Sequence, residues 1–229
     1  MKRVKTVLFM IVIAALFGAG VTGLNLSSRT TVEKNKRFIE QKALVELFGL
    51  GDVKTLSKEK INEIVQTQID QSETLTDPQT GTTISLLKAY ADAEQTQLVA
   101  YGFPFSGIGF WDKITGYIAV DSTLKKTVGL KVITQVETPG LGARIEEPFF
   151  VKPFVDGLDI TAPAPGNNYI YMGTAGSQSE PGTKQYGRTF DAITGATQTS
   201  LAMERMLNNA VAKFGRCVQN REAGEPHGL

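Results

Sequence analysis

The sequence predicts an α+β fold, an antiparallel sheet with packed helices, preceded by a single N-terminal transmembrane helix. Residues 6–28 contain no charged side chain. After residue 89, short apolar runs alternate with glycine and polar turns, the pattern of strands joined by hairpins. Towards the end, Met203, Met206, Leu207, Ala210, Val211 and Phe214 recur at three- and four-residue steps and form one apolar helix face. The 229 residues allow one or two domains, and an apolar fraction of 41% can build a core.

Lys2, Arg3 and Lys5 make residues 1–5 a basic segment, and Val7 to Phe17 is unbroken hydrocarbon. At about 1.5 Å per residue, the span 6–28 crosses a hydrocarbon layer of about 30 Å. The next basic residue is Arg29, so the positive-inside rule places the N-terminus in the cytoplasm and the bulk of the chain outside it. A cleaved signal peptide is the rival reading, because Gly18, Ala19 and Gly20 follow an apolar run of 11 residues. The uncharged span exceeds a usual signal core of about 7–15 residues, which favours retention. No cysteine stands near residue 20, so a lipoprotein anchor is excluded; the Asn25-Leu26-Ser27 sequon abuts the membrane and carries no weight.

Residues 29–89 read as a helical exit and connector. A helix over 30–48 carries Val32, Ile39, Leu44, Leu47 and Phe48, and Gly49 and Gly51 end it. Ser57 has the place of an N-cap, with Leu56 and Ile61 set as a hydrophobic staple and Ile64 and Ile69 extending the stripe. The polar stretch 72–83, with Pro78 and Gly81, reads as a loop. Strands are predicted at 97–101, 116–120 and 128–134, with 121–127 as a polar hairpin connection and 169–172 as a weaker fourth strand. The closing helix is expected to stop at Gly215, so that 90–216 is the ligand-bearing domain and 217–229 a tail.

Composition narrows the function. A net charge of +1 provides no bulk field for nucleic acid. One cysteine and one histidine exclude a disulfide framework, a zinc finger, a multi-cysteine iron–sulfur site and c-type haem attachment. His227 lies near the C-terminus and offers no base for Ser-His-Asp or Cys-His chemistry, and Cys217 reads as an ordinary small residue. Gly107 and Gly109 do not begin a dinucleotide fingerprint, because position 112 is Asp. No catalytic side chain and no metal site is expected.

Two segments remain. In Glu137-Thr138-Pro139-Gly140-Leu141-Gly142, proline fixes φ and the glycines permit close backbone approach. That turn could present N–H groups to a flat ligand or an anion, or could simply join strand to helix. The second, residues 191–200, puts hydroxyls and Gly195 at the start of the closing helix. Unpaired N–H groups and the helix dipole favour a phosphate there; the plainer reading is N-capping by Thr197, Thr199 or Ser200.

These residues carry a resemblance. Thr194-Gly195-Ala196-Thr197, preceded by Asp191, resembles the flavinylation motif of the FMN-binding domain family, D-x-x-[ST]-G-A-[ST]. Glu137 to Gly142 resembles that family's E-T-P-G-L-G signature, and Gly109-Phe110-Trp111 with Gly116-Tyr117 resembles its G-[LF]-W…G-[YF] segment. The three signatures stand in the family's order, and the resemblance covers residues 97–214 together with the anchor at 6–28. The resemblance implies FMN joined through its phosphate to Thr197, with Thr194, Gly195 and Ala196 beside the attachment. It further implies Glu137, Thr138, Leu141 and Gly142 as contacts to the ring or its linker. Trp111 either flanks the ring or fills the core.

The family members resembled are flavoprotein subunits of two related membrane complexes: the G subunit of the Rnf ferredoxin:NAD oxidoreductase and the C subunit of the sodium-translocating NADH:quinone oxidoreductase. Asp191-Ala192-Ile193 leans towards the Rnf form. The resemblance implies a bacterial or archaeal plasma membrane, with the flavin domain on the extracytoplasmic side. It implies partners too: integral-membrane and cofactor-bearing subunits, membrane lipid, and a flavin transferase that makes the ester from FAD with a divalent metal. The chain alone is then not a complete enzyme. The rival settings are a standalone anchored electron carrier and a non-redox exported binding module whose T-G-A-T is only a helix cap.

Overall fold

In the computed structural model, residues 2–174, 183 and 185–224 are described. The first helix, α1, runs without interruption over Lys2–Leu47. The sequence pattern separates a membrane span from an exit helix; the structure joins them, since no proline or glycine falls between residues 24 and 47 to break the hydrogen-bond ladder. The apolar part of α1 has a mean hydropathy of 2.4 over its best window and is not buried at all, and it is long and apolar enough to cross a membrane. The chain forms two compact units, residues 1–40 and residues 41–229.

The second unit is built on a five-stranded antiparallel meander, with strands adjacent in chain order: β1 (Ile69–Thr76), β2 (Thr83–Tyr90), β3 (Leu98–Ile108), β4 (Lys113–Asp121) and β5 (Thr127–Thr134). The three strands expected from 97 to 134 are present, and β3 runs seven residues beyond its expected end at 101. The expected loop over 72–83 is corrected: β1 and β2 occupy most of it, and the turn is confined to the residues between them. β1 is an edge strand in which Ile69 and Leu75 are its only buried residues, so it lacks the apolar alternation that marks a strand. The sheet therefore begins at Ile69, inside the stretch read as connector.

Alternation along the strands gives the sheet two covered faces. On one, Phe103, Phe105, Ile114, Ile118 and Leu130 meet α3 (Pro148–Asp156) and the long closing helix α4 (Thr197–Gly224). Phe103 stacks on Phe214 with ring centroids 4.2 Å apart, a pairing worth about 0.5–1.5 kcal/mol beyond its buried area. On the other face, Ala100, Gly102 and Gly129 lie under the end of α1, where Leu44, Val45, Leu47 and Phe48 are buried. Gly129 is fixed by contact: a Cβ there would stand 2.2 Å from the Leu47 carbonyl oxygen. α2 (Lys58–Gln68) packs beside β1, and the Ser57 hydroxyl accepts a hydrogen bond from Lys60 N at 3.2 Å, the cap the sequence predicts.

Two further strands, β6 (Tyr171–Gly173) and β7 (Thr189–Asp191), form a separate parallel pair. The weaker predicted strand thus exists but lies outside the meander. α4 does not stop at Gly215; Phe214 and Cys217 are buried on either side of it and their packing carries the helix through the glycine to residue 224. Residues 217–224, expected as tail, are helix. His227 lies outside the described residues.

α4 is also tied to the β1–β2 turn. The buried Asp77 carboxylate accepts from Arg216 Nε at 3.1 Å and from its terminal nitrogen at 2.8 Å, and also from Gln79 N and the Thr80 hydroxyl. The Arg216 guanidinium holds the Asp77 carboxyl well below the usual carboxylate range.

Candidate functional site

Three segments meet at one end of the meander: the β3–β4 connection, the stretch after β5, and the start of α4. In the first, Gly109 N donates to Asp112 O at 2.9 Å and closes a tight turn that carries Phe110 and Trp111. In the second, Leu141 N and Ala143 N both donate to Thr138 O, at 3.1 and 3.2 Å, and a 3₁₀ turn follows over Gly142–Glu146. Gly140 lies at φ +75°, where a residue with a side chain would be strained.

Glu137 joins all three segments. It is only 5% exposed. One carboxylate oxygen accepts from Phe110 N at 2.8 Å and Trp111 N at 3.1 Å; the other accepts from the Thr199 hydroxyl at 2.7 Å. Trp111 Nε1 donates to the Thr138 hydroxyl at 2.9 Å, and the rings of Phe110 and Trp111 meet edge to face, 5.0 Å between centroids.

The start of α4 is built differently from an ordinary helix end. β7 leads into a turn in which Ala196 N donates to Ile193 O at 2.9 Å and Gly195 sits at φ +82°. Ser200 N then donates to Ala196 O at 3.1 Å, the first bond of the helical ladder, so Ala196 is the cap residue. It has no side-chain oxygen. Neither do the nearby hydroxyls cap the end: Ser200 Oγ accepts from Ile193 N and donates to Ala196 O, while Thr199 serves Glu137. The N–H groups of Thr197, Gln198 and Thr199 have no acceptor within the helix, and the Thr197 side chain is exposed beside them.

These groups line a cleft of about 460 Å³. Of the residues singled out in the sequence, it brings together Trp111, Glu137, Thr138, Leu141 and Gly142 on one side with Gly195, Ala196 and Thr197 on the other. Thr194 is exposed and does not line it. Trp111 is 64% exposed, which removes the core reading of that residue. Phe110, Gln198 and Thr199 also line the cleft and were not anticipated. Phe110 could have been found from its place beside Trp111; the Thr199–Glu137 bond spans 62 residues and leaves no local signal.

The donor set suits a flat molecule carrying a phosphate. Open N–H groups and the positive end of the α4 dipole face an anion, with a free hydroxyl beside them. Phe110, Trp111 and Leu141 give an apolar slot for a ring. Gly142 keeps the slot open at its base, since a Cβ there would lie 2.6 Å from the Glu137 carboxylate.

The fold and the cleft thus have the shape and donors that suit a planar, phosphate-bearing ligand. Residues 109–212 match the model of the FMN-binding domain, a family named for the ligand it binds. The chain is 36% identical over 119 residues to the C subunit of the Na(+)-translocating NADH-quinone reductase of Chlamydia caviae, a match covering 48% of this chain and 37% of that protein. It is 31% identical over 130 residues to the G subunit of the ion-translocating oxidoreductase complex of Stutzerimonas stutzeri, covering 56% of this chain and 50% of the relative. The matches therefore span half or less of the length of these two relatives. The crystal structure of the C subunit of the Na(+)-translocating NADH-quinone reductase of Parabacteroides distasonis shares the fold, with a TM-score of 0.68 at 21% identity over 83% of this chain and 96% of that one. With the apolar span of α1, the chain is a single-pass membrane protein homologous to subunits of membrane complexes.

Proposed function

We propose that this chain is an electron-transfer subunit of a membrane-bound, ion-translocating oxidoreductase complex and carries FMN esterified through its phosphate to Thr197. The observation that carries this reading is the first turn of α4, where a cap position occupied by alanine leaves three N–H groups open beside an exposed threonine hydroxyl. Thr197 Oγ bonds to the FMN phosphorus, with AMP as the leaving group when a transferase uses FAD as donor. The N–H groups of Thr197, Gln198 and Thr199 receive the phosphate oxygens, and the dipole adds about 0.3–1 kcal/mol. Phe110, Trp111 and Leu141 offer the ring an apolar surface to lie against, and Glu137 holds the loop that bears the two aromatic residues. When bound, FMN supplies one- and two-electron redox chemistry. Nothing in the chain has to act as an acid or base for that.

In this reading the N-terminus is cytoplasmic, because Lys2, Arg3 and Lys5 precede the apolar span, and the cleft lies on the extracytoplasmic side. A covalent link suits that side, where free FMN is not supplied. The partners are the integral-membrane and cofactor-bearing subunits of the complex, and the transferase during maturation. Asp191-Ala192-Ile193 favours an Rnf-type complex; the 36% identity to a reductase C subunit favours the sodium-translocating NADH:quinone oxidoreductase as the second reading. Mass spectrometry of protein purified from its native membrane is the test. The Thr197 peptide is expected to carry the mass of FMN less water. An unmodified peptide would remove the covalent assignment, and co-purifying membrane subunits would separate the complex from a standalone carrier.

A further inference from the structure

We propose that the buried charge of Glu137 sets the reduction potential of the flavin in the cleft, holding it lower than the same site would with a neutral side chain. This rests on the function proposed above. The carboxylate lines the cleft yet is almost closed to solvent. All three of its partners are donors, two backbone N–H groups and one hydroxyl, and among the described residues no lysine or arginine forms an ion pair with it. The chain is shaped around it on both flanks: a Cβ at Gly109 would lie 2.4 Å from one carboxylate oxygen, and one at Gly142 would lie 2.6 Å from the other.

A clamp alone does not need that charge. A glutamine at this position would accept the two backbone N–H bonds through its oxygen and donate its amide to Thr199 Oγ1, which can accept as well as donate. A charge buried without a counter-ion is costly, and its neutral isostere would do the same mechanical work. The charge instead acts on what occupies the cleft. Adding an electron beside an unpaired negative charge in a low-dielectric wall is disfavoured, so the occupant is harder to reduce.

The experiment uses full-length protein in detergent, co-expressed with a flavin transferase. Peptide mass spectrometry reads FMN on Thr197, and spectroelectrochemical titration reads the flavin potential. Among Glu137→Gln molecules that carry FMN on Thr197, the potential is expected to shift in the positive direction. Thr199→Val keeps the charge but removes one donor that stabilises it, and is expected to shift the potential in the negative direction. Potentials unchanged from wild type in Glu137→Gln, or shifts of the same sign in both variants, overturn the proposal. If Glu137→Gln does not fold, Thr199→Val decides alone, and an unchanged or positive shift overturns it. Wild-type protein without FMN on Thr197 defeats the covalent reading and this proposal with it, whereas loaded wild type with an unmoved potential in Glu137→Gln defeats the role of Glu137 only.

Discussion

At the start of α2, Ser57 accepts a hydrogen bond from Lys60 N and Glu59 follows in the first turn. At the start of α4, the cap position is Ala196, the first turn holds no acidic residue, and the hydroxyls within reach are bonded elsewhere or exposed. Both helices carry the same unfilled donors at their N-termini. The first fills one of them, Lys60 N, with the Ser57 hydroxyl and sets the Glu59 carboxylate in the same turn, where it disfavours a further anion. The second leaves them open and surrounds them with an apolar slot. The difference shows that where each hydroxyl goes decides whether a helix start is closed by its own sequence or left open beside a cleft.

The contrast can be broken most completely at Thr197. Thr197→Ala should abolish covalent FMN, read as loss of the mass increment on that peptide, with the far-ultraviolet circular dichroism unchanged. Gly142→Ala comes next: its Cβ meets both Glu137 and Thr199, so denaturant unfolding should show a loss of about 1–3 kcal/mol together with reduced flavin content. Ser57→Ala should cost about 1 kcal/mol in the same assay and leave FMN loading as it is, since that cap serves only α2. Ala196→Ser would give α4 the cap it lacks; unloaded protein should gain about 0.5 kcal/mol while esterification of Thr197 slows in a timed transferase assay.

The least effect on the cleft is expected from Asp77→Asn, in the β1–β2 turn that pairs with Arg216 of α4. Pairing with Arg216 lowers the carboxyl's pKa in the folded state, so its stabilisation is present above the unfolded carboxylate value of about 4 and is lost as pH falls through the folded value. Thermal melts taken between neutral and acid pH should show a shallower acid decline in Asp77→Asn than in wild type, with flavin content unaltered.

Much of this contrast was legible in the residues, and the reasons for the rest are physical. β3, β4 and β5 were readable because both faces of the central sheet are covered and their strands are strongly apolar. β1 was not, because an edge strand with two buried residues looks like a polar loop. T-G-A-T and E-T-P-G-L-G pointed to the two walls of the cleft through the family they resemble; on turn chemistry alone they read as a plain strand-to-helix turn and a helix cap. The carboxylate that joins those walls could not be placed, because the contact between Glu137 and Thr199 exists only after the sheet and α4 have packed. The extent of α4 past Gly215 likewise depends on burial of Phe214 and Cys217 rather than on helix propensity.

That long-range contact also orders events in the life of the protein. The walls come from the β3–β4 turn, the stretch after β5 and the first turn of α4, so a nascent chain has no slot until its last long helix has been made and docked. A short peptide bearing T-G-A-T contains the hydroxyl but neither aromatic wall nor clamp. Under the proposed function, cofactor loading through this cleft would therefore be a finishing step, open only to molecules that have already completed folding, and the flavin would double as a record that folding succeeded.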